Sequence, residues 1–512
     1  MAERVIVKRG TYQDSARLMR IARDLSQVPD VTSADVMMGT AANLDLLAQA
    51  GFPRVDLDAA TPMDMVVALR TADENAFVAA QQRLTSMLAG DTGAPITAEA
   101  ASRPGSVAEA VSLHPDANLV SIAVPGTYAA FVAGRALDAG RNVFLFSDNV
   151  ALADEVALKT RALKSGLLGM GPDCGTAIIA GVGLGFANRV PRGPVGIVGA
   201  SGTGTQEVCC LLSRLGVGIS HAIGTGSRDL STDVNGMMSE FGLRLLADDQ
   251  ATRVVMLVAK HPAPAVAERL HGVLARLGKP AVVRYLGERA RPTADGVVYA
   301  ETLDEAAEIA AASSGAAHDQ KDPWIAGPVD AAWDGTTVSG RLIGLFGGGS
   351  LAAEAQHVLA TCGFETTVPA HRLVPDQPIP GIGHLIIDTG DDAYTVGRPH
   401  PMVDQTVRCG LIRAAGADRS VGLVLLDLVL GDGAHLDPAP EIVAAVADAR
   451  AARRDLPLAV ICSVCGSADD PQDVRQQVAT LSAGGIHTAP TAARAAHLAA
   501  TLLGRTPERS VR

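Results

Sequence analysis

Short apolar blocks alternate with Ala-rich amphipathic segments along most of the chain. A short apolar block bounded by turn residues fits a buried strand, and an amphipathic segment fits a helix packed on a sheet. The alternation therefore predicts α/β domains with parallel sheets and crossover helices. The expected strands are Asn118–Val124, Arg141–Phe146, Leu167–Met170, Pro194–Val198, Gly218–Ile223, Arg253–Ala259, Pro280–Tyr285, Arg341–Phe346, His384–Asp388, Val421–Asp427, Pro457–Cys462 and Gly485–Thr488.

The N-terminal segment follows a different pattern. It predicts strands at Arg4–Lys8, Val31–Met38 and Met65–Arg70 and helices at Ser15–Val28 and Asn75–Leu88. This order predicts a small ferredoxin-like or ACT-like α+β domain at residues 1–100. Asp91–Pro104 is rich in Ala, Gly and Pro and predicts a domain boundary, and Ser313–Thr337, which holds both Trp residues, predicts a linker.

The composition narrows the class of partners. Lys and Arg number 43 against 55 Asp and Glu, which gives a net charge of −12, and aromatic residues make up only 3%. Such a chain has no electrostatic reason to bind nucleic acid or a membrane surface, and few aromatic rings on which bases could stack. Its apolar runs are too short for a membrane span, Met1–Gly10 lacks a signal-peptide core, and its 7 Cys predict no disulfide framework. We therefore expect a soluble cytoplasmic protein that acts on a small molecule.

A loop of Gly, Ser and Thr follows the apolar block Val195–Val198 and opens a helix. Free backbone N–H groups at a helix N-terminus, beside residues small enough to let a ligand approach, form an anion site. The order of the glycines matches neither a Walker A loop nor a dinucleotide fingerprint. The loop predicts phosphate binding, and the alternative is an ordinary turn capped by Ser or Thr. The candidate phosphate-binding residues are Ser201, Gly202, Thr203 and Gly204.

Two later loops repeat this arrangement after other predicted strands. Open α/β sheets bind their ligands at the carboxyl ends of strands, where both loops are expected to lie. Three such loops indicate several phosphate-bearing ligands, or one ligand clamped between domains. The candidate phosphate-binding residues in these loops are Gly347, Gly348, Gly349 and Ser350 in the first, and Gly431 and Gly433 in the second.

Two Pro residues flank His400 in the segment Gly397–Asp404. A rigidly held imidazole beside Arg398 and Asp404 could act as an acid, a base or a phosphoryl acceptor, and the alternative is a rigid turn with a locally bonded His. We treat His400 and Arg398 as the candidate catalytic residues.

The segment Gly171–Gly175 could present a thiol or a carboxylate at a sheet edge, the alternative being a buried Cys. The pair Cys462 and Cys465 is interpreted as packing, and the His residues lack the spacing of a zinc site, so no metal site is predicted.

Together these motifs resemble the FdrA family, a branch of the NDP-forming acyl-CoA synthetase superfamily typified by succinyl-CoA ligase. Gly169–Cys174 is similar to its G-P-N-C segment, with Asp173 in place of Asn, and Val195–Glu207 is similar to its S-G-T phosphate loop. Gly397–Asp404 and Leu426–Pro438 resemble further hallmarks of the family. The resemblance implies a Rossmann-like CoA-binding domain at 101–190 and two flavodoxin-like ligase domains at 191–335 and 340–505. It implies phosphate or a phosphorylated ligand, and CoA or a nucleotide at Pro172, Asp173 and Cys174.

The sequence departs from the ligase pattern at the histidine that carries the phosphoryl group. Its segment would fall at Leu286–Thr293, which has no His, and its acidic partner would fall near Lys260, so the charge is reversed. A Lys cannot stabilise an imidazolium ion or accept its proton. No ATP-grasp domain is recognised either, so we do not expect the chain to run the ligase cycle alone.

The resemblance then implies one subunit of a carbamoyltransferase complex of allantoin or ureide breakdown, which converts oxalurate and phosphate into oxamate and carbamoyl phosphate. Ser201, Gly202 and Thr203 would hold phosphate, while His400 and Arg398 would handle protons or the carbonyl group. Two alternatives stay open: an acyl-CoA synthetase with His400 as a relocated phosphoryl carrier, and a non-catalytic regulatory subunit. We find no further Arg cluster for the donor's carboxylate, so we expect an oligomer completed by other protein subunits of the same complex.

Overall fold

The computed structural model describes residues 2–13, 15–57, 59–89, 104–315, 337–395, 398–453 and 456–504. The chain divides into two compact units. The first comprises Met1–Asp116 and Thr395–Pro399, and the second comprises Ala117–Tyr394 and His400–Arg512. Most of the predicted boundary at Asp91–Pro104 and of the predicted linker at Ser313–Thr337 lies outside the described residues.

The first unit is a small α+β domain, as predicted. Its antiparallel sheet has the order β1-β3-β2, and the central strand β3 is buried along almost its whole length. Side chains such as Leu25, Val67 and Leu84 form a core between the sheet and two helices. The elements are β1 (Ala2–Lys8), α1 (Ser15–Ser26), β2 (Val31–Met38), α2 (Ala41–Gln49), α3 (Arg54–Leu57), β3 (Met65–Thr71), α4 (Glu74–Ala89) and α5 (Val107–Leu113).

The second unit begins with a three-stranded parallel sheet of order β4-β5-β6. Its strands and crossover helices are β4 (Leu119–Ile122), α6 (Gly126–Asp138), β5 (Asn142–Leu145), α7 (Leu152–Lys164) and β6 (Gly169–Met170). These elements confirm the strands predicted at Asn118–Val124, Arg141–Phe146 and Leu167–Met170 and the expectation of crossover helices between them.

A seven-stranded sheet follows, with the order β13-β12-β11-β9-β10-β7-β8. Strands β9 to β13 are parallel, and the hairpin β7–β8 adds an antiparallel edge next to β10. The elements are β7 (Thr176–Ile179), β8 (Val182–Gly185), β9 (Arg192–Ala200), α8 (Gly202–Arg214), β10 (Ile219–Gly224), α9 (Met237–Asp248), β11 (Val254–Lys260), α10 (Pro264–Leu274), β12 (Ala281–Leu286), β13 (Val297–Tyr299) and α11 (Leu303–Ser313). The hairpin lies before the predicted boundary at residue 191 yet pairs with a strand after it, and that boundary stays a prediction.

The last sheet has six parallel strands in the order β15-β16-β14-β17-β18-β19. Strand β17 reads VGLVLLDLV and is buried at every position, as expected for a central strand covered on both faces. The elements are β14 (Arg341–Phe346), α12 (Gly349–Thr361), β15 (Thr366–Thr367), β16 (His384–Asp388), α13 (Asp392–Thr395), α14 (Thr406–Ala417), β17 (Val421–Val429), α15 (Ala439–Ala451), β18 (Ala459–Cys465), α16 (Val474–Ala483), β19 (His487–Ala489) and α17 (Ala492–Leu502).

The two large sheets share one helical layer. A single hydrophobic cluster joins side chains of α8, α11, α12 and α17 to inward-facing side chains of both sheets, such as Ile197 and Leu425. Arg214, on α8, is buried and donates hydrogen bonds to the carbonyl oxygens of Val464, Gly466 and Pro490. The fold class is thus α/β with parallel sheets and a small N-terminal α+β domain, as predicted. Within the described residues, every helix is too short or too polar to cross a bilayer.

Candidate functional site at two helix N-termini

The N-termini of α8 and α12 meet at the carboxyl ends of the two central strands that precede them. Ser201 is the N-cap of α8, and its hydroxyl oxygen lies 2.7 Å from that of Ser350 in the first turn of α12. Gly348 is the N-cap of α12, and a Cβ there would stand 2.7 Å from Thr203 Oγ1. Only a glycine leaves room for this close approach, so the two predicted loops lie directly against each other.

Both helices present free donors at this junction. Among the described residues, no acceptor is recorded for the backbone N–H groups of Gly202, Thr203 and Gly204, or for those of Gly349 and Ser350. Each helix N-terminus carries a partial positive charge, and two such ends side by side repel each other. An anion between them would relieve this repulsion and accept the free hydrogen bonds, which makes the junction a candidate phosphate site.

Lys260 and Asp388 lie at the start of α12. A Cβ on Gly349 would overlap Asp388 Oδ2 and would stand 2.7 Å from Lys260 Nζ. Lys260 makes no hydrogen bond or ion pair within the described ranges. Burial raises the pKa of Asp388 to about 6, and the charge of Lys260 opposes this rise. The site therefore offers an ammonium group without a direct partner and a carboxyl group that can exchange a proton near neutral pH.

Asp173 belongs to the same region, because the charge of Lys260 also acts on its carboxylate. Burial raises the pKa of Asp173, and a 2.5 Å hydrogen bond from the Ser227 hydroxyl works against this rise. Cys174 is buried, and burial raises its thiol pKa to about 12, so it is not a reactive thiol. The sequence analysis left a buried Cys as the alternative to an accessible thiol, and Cys174 is buried. The carbonyl oxygen of Pro172 packs on Gly226, and a ligand role for Pro172, Asp173 and Cys174 stays a prediction.

His400 faces the other side of Asp388. Its Nδ1 accepts a 3.2 Å hydrogen bond from the Met402 N–H group. A Cβ on Gly390 would stand 2.7 Å from His400 Nε2 and 3.2 Å from Asp388 Oδ1. Burial, and secondly the charge of Arg408, lower the pKa of His400 to about 4. The imidazole is therefore neutral at neutral pH.

Arg398 belongs to the first unit, whereas His400 belongs to the second. Within its own unit, Arg398 interacts electrostatically with Asp35. Burial raises the pKa of the Asp35 carboxyl group, and the charge of Arg398 opposes this rise. Asp404 accepts a hydrogen bond from the Thr406 N–H group at the start of α14. The predicted catalytic pairing of His400 with Arg398 stays a prediction.

Asp427 occupies part of the predicted phosphate loop. Its carboxylate accepts the N–H groups of Gly347 at 2.6 Å and Gly348 at 2.8 Å, and a 2.6 Å ion pair joins it to Arg408. These two N–H groups therefore already have an acceptor, and phosphate binding by Gly347 and Gly348 stays a prediction. The sequence concealed this role, because Asp427 lies within the apolar run of β17 and no local pattern links it to a loop 80 residues away.

The third predicted phosphate loop is used for packing. The Gly431 N–H group donates to Gln472 Oε1, and the Asp432 N–H group donates to the carbonyl oxygen of Ala187. A Cβ on Gly431 would stand 2.7 Å from that same carbonyl oxygen, and the ring of Phe186 lies against Gly433. Both glycines allow close contact with the segment before β9, and phosphate binding by Gly431 and Gly433 stays a prediction.

Family models match three parts of the chain. Residues 1–103 match "AllF, heavy metal-associated domain", residues 192–284 match "CoA binding domain", and residues 345–502 match "CoA-ligase". The last two matches cover most of the two large sheets, including α8 and α12. The resemblance to the FdrA family had assigned CoA binding to residues 101–190, so the CoA-binding match falls on a later segment.

The heavy metal-associated description does not fit the residues of this chain. Residues 1–103 contain neither Cys nor His, the usual ligands of soft metal ions. The loop after β1 is closed by a carboxylate, since Asp64 accepts the N–H group of Gly10 at 2.7 Å as well as the N–H and hydroxyl groups of Thr61. No group of potential metal ligands occurs in the part of the chain that the structure describes.

One relative matches nearly the whole length of the chain. The uncharacterized protein YahF of Escherichia coli (strain K12) is 34% identical over 503 residues, which cover 95% of this chain and 96% of YahF. The succinate–CoA ligase [ADP-forming] subunit alpha 2 of Archaeoglobus fulgidus is 35% identical over 160 residues, 30% of this chain and 54% of that subunit.

A solved structure, the dinucleotide-forming acetyl-coenzyme A synthetase 1 of Ca. Korarchaeum cryptofilum in complex with phosphate and ADP, shares 18% identity and a TM-score of 0.33. The match covers 75% of this chain and 82% of the synthetase chain. The domain matches and the relatives in sequence lead to one conclusion: the chain belongs to the family of YahF and is a succinyl-CoA-ligase-like protein with CoA-binding and CoA-ligase domains.

Proposed function

We propose that the chain transfers an acyl group between phosphate and a second carrier, at the junction of α8 and α12. The observation that carries this proposal is the meeting of two helix N-termini beside Lys260. Phosphate fits this junction, because the free N–H groups and the ammonium group supply donors and positive charge from several directions. The net charge of −12 does not oppose this, since local groups bind the anion.

The reaction needs a phosphate nucleophile, an activated carbonyl group and a place for one proton. A phosphate oxygen attacks the acyl carbon, the bond to the leaving group breaks, and the products are an acyl phosphate and the released carrier. Asp388 is suited to exchange the proton, because its pKa is raised to about 6. The helix N-termini stabilise the negative charge that develops on the reacting oxygens.

The first candidate for the carrier is CoA, and the chain is then an acid–thiol ligase component. The matches to a CoA-ligase and a CoA-binding domain support this reaction, in which an acyl-CoA and phosphate give an acyl phosphate and CoA. A nucleotide would accept the phosphoryl group in a further step.

The second candidate is transfer of a carbamoyl group from oxalurate to phosphate, as a subunit of a carbamoyltransferase complex of allantoin or ureide breakdown. The reversed charge at Lys260 favours it, because this residue can hold substrate phosphate directly and cannot assist a phosphohistidine. The AllF description of residues 1–103 also supports it. Other protein subunits would then supply the carboxylate pocket for the donor, over an interface of roughly 1,600 Å².

Calorimetric titration with inorganic phosphate tests the shared site. We expect binding to the wild-type chain and a loss of affinity of about tenfold or more in Lys260→Met, since a charge-assisted hydrogen bond contributes about 1.5–3 kcal/mol. Lys164→Met, an exposed lysine at the end of α7, is the matched control and should bind phosphate as the wild type does. Equal affinities in all three proteins would contradict the proposed site.

The two candidates differ in their products. With phosphate present, the CoA reaction releases a free thiol from acetyl-CoA or succinyl-CoA, whereas the carbamoyl reaction forms carbamoyl phosphate from oxalurate. Each product is measured with the chain alone and with the proteins that co-purify with it from its native source. Carbamoyl phosphate formed only with those proteins would support the second candidate, and thiol release by the chain alone would support the first.

A further inference from the structure

Two glutamates occupy the same position in α8 and α12. Glu207 is the sixth residue of α8, and Glu354 is the sixth residue of α12. Each accepts the first N–H group of a helix that belongs to the other large sheet. The N–H group of Ala492, at the start of α17, donates to Glu207 Oε1 at 3.1 Å, and that of Leu303, at the start of α11, donates to Glu354 Oε1 at 2.6 Å. The two glutamates therefore join the half of the unit built on the seven-stranded sheet to the half built on the six-stranded sheet.

Only one of the two glutamates has a cationic partner. The side chains of Glu207 and Glu354 are both buried. Glu354 Oε2 accepts hydrogen bonds from Nη2 and Nε of Arg284 at 2.7 and 3.1 Å, and the two groups form a buried ion pair. Within the described residues, Glu207 makes no ion pair and its Oε2 atom has no hydrogen-bond donor. A buried carboxylate without a counter-ion is strongly destabilising, so the two positions require opposite charge states.

A second unpartnered oxygen belongs to Asp304, on α11. Asp304 Oδ2 accepts hydrogen bonds from the Thr491 hydroxyl at 2.9 Å and from Arg494 Nε at 3.3 Å, both at the N-terminus of α17. Asp304 Oδ1 is buried and has no donor among the residues that the structure describes. Burial, and secondly the negative charge of Asp304, raise the pKa of Glu207 well above its ordinary value. One proton held between the two carboxyl groups would satisfy both unpartnered oxygens.

The other charged and titratable groups around Glu207 do not supply the missing donor. Glu354 adds a negative charge that raises the pKa of Glu207 further, and Arg214, farther along α8, opposes this rise. The thiol of Cys465, on β18, is neutral, because a contact with Cys210 and burial raise its pKa. The guanidinium group of Arg214 donates instead to the carbonyl oxygens of Pro490, Val464 and Gly466.

We propose that Glu207 keeps a proton on Oε2 at neutral pH and donates it in a hydrogen bond to Asp304 Oδ1. This inference goes beyond the proposed function, because it concerns the joint between the two halves. While the proton is present, Glu207 and Asp304 together accept the three hydrogen bonds described above from the N-terminus of α17. Release of the proton would leave two negative charges in the interior, and their repulsion would loosen this joint. The stability that the proton provides is therefore lost as the pH rises through the pKa of Glu207 in the folded protein.

Infrared difference spectroscopy of the full chain reads the charge state of Glu207 directly. At pH 8, the spectrum of the wild type minus that of Glu207→Gln should contain the C=O band of a protonated carboxyl group. Glu354→Gln is the matched control, because Glu354 has the same place in its helix but is paired with Arg284. Its difference spectrum should contain the bands of an ionised carboxylate. Carboxylate bands in place of the acid band for Glu207 would overturn the proposal.

The melting temperatures of the same two variants at pH 7 give an independent measure. Glu207→Gln can offer an amide N–H group to Asp304 and an amide oxygen to the Ala492 N–H group, so it should melt within about 2 °C of the wild type. Glu354→Gln leaves the buried Arg284 without a counter-charge and should melt about 5 °C lower or more. A loss in Glu207→Gln as large as that in Glu354→Gln, or failure of Glu207→Gln to fold, would contradict a protonated Glu207.

Asp304→Asn tests whether the proton is shared. Removal of the negative charge of Asp304 should lower the pH at which the acid band of Glu207 disappears, because that charge helps to hold the proton on Glu207. Asp233→Asn, an exposed carboxylate before α9, is the control and should leave this pH unchanged. The same pH in Asp304→Asn and in the wild type would rule out the sharing of the proton with Asp304.

Discussion

Replacing Asp388 with Asn should raise the thermal stability of the protein above neutral pH and leave it unchanged in acid. Burial raises the pKa of Asp388 from its ordinary value of 3.8 to about 6. A carboxyl group whose pKa is raised by folding contributes stability that is fully present below its unfolded-state pKa and is lost as the pH rises through its folded-state pKa. At pH 8 the ionised side chain of Asp388 therefore lowers the free energy of unfolding, whereas a neutral Asn side chain would not.

The magnitude follows from the size of the pKa rise. Each pH unit between the folded-state and unfolded-state pKa corresponds to about 1.4 kcal/mol, so ionised Asp388 costs about 3 kcal/mol at pH 8. Asn keeps an oxygen that can accept the 2.9 Å hydrogen bond from Gly390 N–H. The charge of Lys260 is already included in the pKa of about 6, because it opposes the rise caused by burial. The pH dependence, rather than a single melting temperature, is therefore the informative quantity.

Melting temperatures of Asp388→Asn and wild type, measured from pH 4.5 to 8 without phosphate, give this dependence. The melting temperature of the variant minus that of the wild type should increase steadily as the pH rises through 6. This difference should level off by pH 8. Asp469→Asn, an exposed carboxylate beyond β18, is the control and should give a constant difference. A constant difference for Asp388→Asn as well, or a gain that grows toward acid pH, would refute the assignment of a buried, raised-pKa carboxyl group.

Three further outcomes follow from charge, burial and ligand chemistry. Ser201→Asp should abolish calorimetric binding of phosphate, because it places a carboxylate between the two helix N-termini, whereas Ser201→Ala should retain part of the affinity; binding by the Asp variant would argue against the site. Iodoacetamide at pH 8 should leave Cys174 unlabelled until the protein is unfolded in urea, since burial raises its pKa to about 12, and mass spectrometry of the labelled peptide decides this. Plasma mass spectrometry of the purified, tag-free protein should find less than one equivalent of copper or zinc, and a full equivalent would contradict the misfit of residues 1–103 with metal binding.

The strands of the two large sheets were predictable because parallel strands are covered on both faces and appear as unbroken apolar runs. Strands β11 and β17 are buried at nearly every position and coincide with the predicted blocks. The hairpin β7–β8 was not predicted. Its sequence, from Thr176 to Gly185, mixes glycine with β-branched residues, and its place in the sheet depends on pairing with β10.

The candidate site was only partly predictable. The sequence selected Ser201–Gly204, Gly349 and Ser350, which lie where α8 and α12 meet, and His400, which lies beside Gly390; their roles stay predictions. The sequence also selected Gly347 and Gly348, because they belong to a glycine-rich loop after a strand. Such a pattern does not reveal that a distant side chain, here Asp427, already accepts the N–H groups of the loop. Asp427 and Asp388 were missed for a related reason, since each belongs to a strand and acquires its role only when distant segments fold together.

The shared helical layer makes the second unit one cooperative structure. Helices α8 and α11 pack against sheet residues from both halves, as do α12 and α17, so neither half would retain a complete hydrophobic core on its own. Buried groups such as Arg214 would also lose carbonyl partners supplied by the other half. The two helices at the proposed anion site are thus anchored in a common interior, and the spacing between their N-termini is set by side-chain packing throughout that interior. Evolution could alter the substrate by changing residues at the strand ends, but it could not separate the two halves without dismantling the site.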